Sequence, residues 1–425
     1  MQPRPDALTF VQSLGRDAFE KGVRYFFPDA ALTTDGEPVE FVPSLAIRPG
    51  TDGGFDLEWM GVKYRLDRRG RPLSSDECRM IGAVANVVSA RYRSVVSAEP
   101  VEKLHLLDGL PEDRSVSAFL DPTGSGDVLA QAIGVLRHSS LITYESRRIS
   151  TGVILVNQGL DAGHRAVPYD AALMSIKRFH RLCDGLRTVF LVNAEGLLVD
   201  LVDVERYAKT CGGGVLPAPG PERYRAHCVA TAVGGNVCLV LSPNGEIKIF
   251  ANGVQTLHFL EGRWHITDFR EKYARFQEAV SDTAIAERLF VVALNLAEVR
   301  RGGLFIVLDE GTSAPAMVAP EDLLDDQKPN QTTRAHYLLR DRTVVELEPT
   351  ILQSIAGVDG GIVLDRRGRL LAFGAILRTN GESLAALEGG RSTAALYASR
   401  FGLALKVSED GFVSFYRNGA RVWEI

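Results

Sequence analysis

The sequence predicts an α/β fold in three units: a small N-terminal α/β unit over residues 1–110, a second over 111–275 and a third over 276–425. Three observations carry this expectation. At 425 residues the chain exceeds the roughly 100–200 that one hydrophobic core ordinarily serves. Helical stripes and short apolar runs bounded by turn residues alternate along its length. Residues 225–253 also match 391–419 without a gap, which makes the second unit a degenerate copy of the third.

The first unit opens with a helical pattern, ALTFVQSLGRDAFEKGVRYFF, and after a Pro/Gly-broken stretch continues as FDLEWMGVKYRLDRRGRPL, which alternates like a hairpin. SSDECRMIGAVANVVSARY follows, with a Ser cap, early acids and an apolar stripe, and reads as a helix. The second unit begins near DPTGSGDVLAQAIGVLRH. Gly124, Ser125, Gly126 and Asp127 look like a nucleotide loop, but a P-loop lysine is missing and Asp127 would repel phosphate, so a turn leading to an Asp cap explains them better. Strands are expected at TGVILVN, TVFLVNAEGLLVDLV and NVCLVLSPNGEIKIFANG, with TCGGGVLPAPGPERY as a loop between the last two.

In the third unit Asp282 caps a helix whose Ile285, Leu289, Val292, Leu296 and Val299 form a buried stripe. GGLFIVLDEG is a buried strand, PTILQSIAG a helix, and GGIVLDRRGRLLAFGAIL two strands joined by a turn. EGGRSTAALYASRFGLALKVSEDG supplies a helix and a strand, and FVSFYRNGARVWEI a closing hairpin. The self-match rests on a constant spacing of 166 positions, held by Arg225 and Arg391, Ser242 and Ser408, Gly245 and Gly411, Asn252 and Asn418, and Gly253 and Gly419. Chance similarity of strand-turn-strand segments is the competing reading, and LDRRGRPL at 66–73 against LDRRGRLL at 364–371 shows how it arises.

With 45% hydrophobic and 24% charged residues the chain has the composition of an ordinary globular protein. A net charge of −5 without a block of like charge argues against nucleic acid or a membrane surface as partner. The five cysteines (Cys78, Cys183, Cys211, Cys228 and Cys238) include no C-x-x-C, so neither a disulfide framework nor a zinc site is expected, and a reducing cytoplasm fits. The N-terminal stretch lacks the basic-then-apolar pattern of an export signal, and neither export nor membrane spanning is expected.

Three stretches of the third unit can carry chemistry. Asp359, Gly360 and Gly361 place a carboxylate at a strand start where backbone can approach a divalent metal or a ribose hydroxyl, although a plain turn Asp explains the stretch as well. Gly389, Gly390 and Arg391 precede a helix beginning near Ser392 and Thr393. Free amides and a bidentate cation there suit an anion, and a Gly turn capped by Ser392 or Thr393 is the alternative. Ser408 and Glu409 end the next strand and can face the same ligand or belong only to a turn.

These motifs, in this order, resemble the diadenylate cyclase (DisA-type) family, which has Asp-Gly-Ala, then Gly-Thr-Arg-His-Arg-Ala-Ala or a Gly-Ala-Arg-His-Asn variant, then Val-Ser-Glu. The resemblance covers about residues 280–425. It implies a mixed twisted sheet flanked by helices, and condensation of two ATP into cyclic di-AMP with release of pyrophosphate in a site shared by two face-to-face domains, assisted by Mg²⁺ or Mn²⁺. Such chemistry needs mainly positioning and charge neutralisation. By motif position Asp359 would serve the metal and the 3′-hydroxyl, with Arg391 as its catalytic partner and Gly360 and Gly361 beside the nucleotide. Gly389, Gly390, Arg391, Ser392 and Thr393 would line the phosphates, and Ser408 and Glu409 would complete the triphosphate end.

The chain departs from the family at two positions: Ser392 stands where the family has His, and Thr393 where it has the second Arg. The last histidine of the chain is His336, so no shift of alignment supplies the imidazole. In the second unit Arg187 falls opposite Asp359, Pro243 opposite Glu409, and Arg223 and Tyr224 opposite the two glycines; His227 reads as a core or loop histidine. Two functions follow from the resemblance: a diadenylate cyclase whose earlier units sense or regulate, or an inactive pseudo-cyclase that binds ATP or a cyclic dinucleotide as a sensor. Either implies domain pairing, within one chain or in a homo-oligomer.

Overall fold

The computed structural model describes residues 5–38, 45–50, 53–68, 71–96, 111–121, 127–157, 167–175, 179, 182–212, 214–324, 338–377 and 389–425; Gly124, Ser125, Gly126 and His336 lie outside them. The chain is α/β, with mixed sheets, and divides into two compact units. Unit 1 comprises residues 1–214 and 227–268, and unit 2 comprises residues 215–226 and 269–425. No helix among the described residues is long and apolar enough to cross a membrane.

Unit 1 starts with α1 (Pro5–Phe26), followed by β1 (Ala31–Pro38), β2 (Ala46–Pro49), β3 (Phe55–Trp59) and β4 (Val62–Asp67), an antiparallel sheet of order β1-β4-β3-β2. The hairpin between β3 and β4 turns on Met60 and Gly61, both at positive φ, which matches the twist of the flanking strands. Next comes α2 (Ser75–Val96), whose start is a reciprocal capping box: Glu77 N–H donates to Ser74 Oγ at 3.1 Å and Ser74 N–H donates to Glu77 Oε2 at 2.8 Å.

The chain continues through α3 (Pro111–Leu120), α4 (Asp127–Leu141), the short pair β5 (Thr143–Tyr144) and β6 (Arg147–Arg148), β7 (Thr151–Leu155), β8 (Val167–Pro168), α5 (Tyr169–Ser175), β9 (Thr188–Val192), β10 (Leu197–Asp203) and α6 (Val204–Thr210). It then passes through α7 (Arg225–Ala230), β11 (Val237–Leu241), β12 (Ile247–Ala251), β13 (Val254–Leu260) and β14 (Arg263–Ile266). The resulting sheet has the order β14-β13-β12-β11-β7-β9-β10-β8.

One continuous core joins this sheet to the N-terminal one. Phe19 stacks on Trp59 with ring centroids 4.6 Å apart. Buried Asp113 accepts from Trp264 Nε1 at 2.7 Å and pairs with Arg137 at 2.6 Å, both through Oδ1, so its charge is partnered.

Unit 2 contains α8 (Phe269–Val280), α9 (Thr283–Glu298), β15 (Gly303–Leu308), α10 (Pro349–Ala356), β16 (Gly361–Leu364), β17 (Leu370–Ala375), α11 (Gly390–Ala398), β18 (Gly402–Val407), β19 (Val413–Arg417) and β20 (Ala420–Glu424). As the sequence predicts, Asp282 caps α9, accepting from Ile285 N–H at 3.0 Å. The sheet runs β17-β16-β15-β18-β19-β20, with β15 and β16 parallel and the other neighbours antiparallel.

The two units repeat one pattern. The order β13-β12-β11-β7-β9-β10 in unit 1 equals β20-β19-β18-β15-β16-β17 in unit 2, including the single parallel pair. Registers coincide at the spacing of 166: Val237 opposes Ala251 as Leu403 opposes Arg417, and the register slips between Ile249 and Phe250 as it does between Phe415 and Tyr416. The turn from β9 to β10 is also repeated. Asn193 Oδ1 accepts the amides of Glu195 and Leu197, and Asp365 Oδ1 those of Arg367 and Arg369. Strand-turn-strand segments that agree by chance would not agree in register and bulge position across three strands of each unit.

Candidate functional site

The site forms where β16 begins, α11 begins and β18 ends. Gly360 sits at φ +105°, and a Cβ there would come within 2.3 Å of the Gly374 carbonyl carbon, so glycine is demanded by the backbone of β17. Gly361 opens β16 and is buried in the sheet. Ahead of them Asp359 is pushed out to solvent, its side chain 97% exposed and its Oδ1 accepting the Gly360 N–H at 3.1 Å.

Helix α11 has Gly389 as its N-cap at φ +93°, with no side chain capping it. A Cβ on Gly389 or Gly390 would meet nothing within 4 Å, so the approach to the first turn is open among the described residues. Uncapped amides at a helix start are donors for an anion. Arg391 folds back over Gly302, where any Cβ would lie 2.2 Å from Nη1. From there Nη1 donates to Glu409 Oε1 at 2.9 Å and Nη2 lies 3.7 Å from Asp359 Oδ1. The buried Nε of Arg391 has no hydrogen-bond partner among the described residues.

The structure therefore brings Asp359, Arg391 and Glu409 together and gives the remaining motif residues other work. Ser408 Oγ accepts the Phe412 N–H at 3.1 Å and builds the hairpin turn, as Ser242 does for Glu246 in unit 1. Thr393 Oγ1 donates to the Gly389 carbonyl at 3.4 Å, closing the first turn of α11. Ser392 is buried, and its hydroxyl accepts from Lys406 Nζ at 2.7 Å. Burial pushes the Lys406 ammonium below its ordinary lysine value, Glu424 and Asp410 working against that shift and Arg421 and Arg391 with it. Neither Gly302 nor Lys406 stands out by motif. Their only sequence signals are a second glycine before a strand that needs one, and a lysine within the otherwise apolar run GLALKV.

Among the described residues no group of three or more His, Cys, Asp or Glu side chains could cage a metal. Mg²⁺ and Mn²⁺ at nucleotide sites need less, since one or two carboxylates suffice when phosphates supply further oxygens. The exposed carboxylate of Asp359 and that of Glu409, 70% exposed, fit an ion of this kind.

Register puts Arg187 and Pro243 of unit 1 at the positions of Asp359 and Glu409, so that unit lacks both carboxylates. His227 is a core histidine, as its sequence context predicts: it is fully buried, with Nε2 2.9 Å from the Gly185 carbonyl and its ring 5.4 Å from that of Phe250.

No protein-family model and no curated protein matches the chain. Solved structures give weak, partial resemblances. One is a hypothetical membrane spanning protein from Bacillus cereus, at 19% identity over 36% of this chain and 70% of that one, with a TM-score of 0.28. Another is a double mutant of DacA from Staphylococcus aureus, at 16% identity over 33% of this chain and 85% of that one, with a TM-score of 0.25. TM-scores this low carry no weight for the site.

Proposed function

We propose that unit 2 is a diadenylate cyclase domain that binds ATP with Mg²⁺ or Mn²⁺ and condenses two ATP into cyclic di-AMP. One observation carries the reading: Asp359, Arg391 and Glu409, from three separate motifs, converge beside the open first turn of a helix. Arg391 and the amides of α11 hold the phosphates, and binding moves the guanidinium from its carboxylate partners onto the ligand. Asp359, freed from Arg391, orients the 3′-hydroxyl for in-line attack on the α-phosphate of the opposing nucleotide; the new O–P bond forms as the α–β phosphoanhydride bond breaks, pyrophosphate leaves and the hydroxyl proton passes to water. The metal, when bound, neutralises charge that develops on the phosphate oxygens. Because unit 1 has Arg187 and Pro243 at the positions of the two carboxylates, the opposing nucleotide comes from unit 2 of a second copy of the chain.

A binding-only function is the second reading, favoured by Ser392 and Thr393 in place of the family's His and Arg. Purified protein incubated with ATP and Mn²⁺ or Mg²⁺, beside an Asp359→Asn control, separates the two by mass spectrometry of the products. Cyclic di-AMP from the wild type alone establishes the cyclase. Bound ATP without product sinks the cyclase and leaves the sensor, and absence of ATP binding removes both.

A further inference from the structure

We infer that Lys406 is a phosphate-binding residue of this site, its ammonium supplying, through the position of Ser392, the second positive donor beside Arg391. The inference rests on the nucleotide reading and deepens it.

Lys406 stands on β18 opposite Leu304 of β15 and Ser414 of β19. Ala404, two residues earlier on the same face, is fully buried, so position 406 continues an apolar face. Unit 1 has an apolar residue there: the corresponding residue, in register on β11, is Val240, 2% exposed, and unit 1 is the copy without the two carboxylates. Unit 1 carries its lysine on the neighbouring strand instead: Lys248, opposite Val240, is buried and pairs with Glu246 at 3.6 Å, a carboxylate partner that Lys406 lacks.

Its environment explains what it is for. An ammonium withdrawn from water needs a counter-charge or a full set of acceptors. Lys406 is half-buried, yet its one hydrogen bond goes to a neutral hydroxyl, Ser392 Oγ at 2.7 Å, and no carboxylate among the described residues lies within ion-pair distance. The charges around it are Glu424, Arg421, Asp410 and Arg391. Glu424 is already engaged by Ser414 Oγ and by Arg421, each at 2.8 Å. Donor capacity is thus left unused next to one helix start: the Lys406 amine has two N–H groups beyond the one given to Ser392, and the buried Nε of Arg391 makes no hydrogen bond among the described residues, although its guanidinium is paired with Glu409 and Asp359. A polyphosphate seated on the uncapped first turn of α11 meets both.

The test is calorimetric titration of the full chain, as wild type, Lys406→Met and Lys406→Arg, with ATP and separately with adenosine, each in the presence of Mn²⁺. Loss of a charged phosphate contact predicts that Lys406→Met weakens ATP by about tenfold or more and leaves adenosine unchanged, while Lys406→Arg stays within about threefold of wild type for ATP. Thermal melting of the ligand-free proteins confirms that the variants fold. If Lys406→Met binds ATP as the wild type does, or loses ATP and adenosine in parallel, the inference is overturned and the nucleotide reading stands. If the wild type binds no ATP, the nucleotide reading falls and the inference with it.

Discussion

Arg391 Nη1 and Glu409 Oε1 meet at 2.9 Å, although one residue opens a helix and the other follows the next strand. Exposed pairs of this kind contribute about 0–1 kcal/mol, and Glu409 is 70% exposed, so stability does not account for the arrangement. Arg391→Gln is therefore expected to leave the melting temperature nearly unchanged while ATP affinity falls by about tenfold or more. Calorimetry beside a melting curve checks this, and an unaltered affinity would remove Arg391 from the site.

The glycines at 302 and 360 separate function from folding. A Cβ on Gly302 would strike the far end of the flexible Arg391 side chain, so Gly302→Ala displaces the guanidinium and weakens ATP binding with a stability loss under about 1 kcal/mol. A Cβ on Gly360 would meet backbone at 2.3 Å from a φ of +105°, so Gly360→Ala destabilises the fold by about 3 kcal/mol. Denaturant unfolding of both variants reads the contrast; equal losses would show that it is absent.

Ser408 is expected to act through the turn. Ser408→Ala removes the acceptor of the Phe412 N–H and costs about 1 kcal/mol, and Ser242→Ala costs the same in unit 1. ATP affinity of Ser408→Ala stays within about twofold of wild type, since Glu409 keeps its place on Arg391. A larger drop would put the hydroxyl on the ligand.

Lys406 makes stability depend on alkaline pH. Its folded-state value lies below the unfolded value of 10.5, chiefly through burial. Below the folded value both states carry the proton and the folded state bears the burial penalty in full. Between the folded value and 10.5 only the unfolded state holds it, so stability rises with pH across that window. Urea midpoints measured from about pH 8 upward should climb in the wild type relative to Lys406→Met. Phosphate favours the charged amine, so ATP affinity falls with pH through the same window in the wild type and stays flatter in the variant. Parallel profiles would contradict both statements.

Much of the fold was legible because its signals are local. The stripe from Ile285 to Leu296 and the cap at Asp282 place α9, whereas Val299, expected in the same buried stripe, is the helix C-cap and 55% exposed because the chain leaves the helix there; Ser74 and Glu77 place α2. The spacing of 166 positions foretold a repeat, and the registers of β11, β12, β18 and β19 express it. The site was legible in part. Asp359, Arg391 and Glu409 carry motifs that converge, whereas Gly302 and Lys406 belong to no motif, and Ser408 reads the same whether its hydroxyl meets a ligand or a turn amide.

By itself the sequence determined the α/β class, the internal repeat and the three stretches that meet at the candidate site, because periodicity, caps and turn glycines act over a few residues. Only the tertiary structure decided which groups meet. Gly360 answers to Gly374 on the next strand, Arg391 lies over Gly302 from 89 positions away, and Ser392 is bonded to Lys406 across helix and sheet. Such contacts are set by strand register and helix packing, and a half-buried charge without an anionic partner is recognisable only once its neighbours are in place.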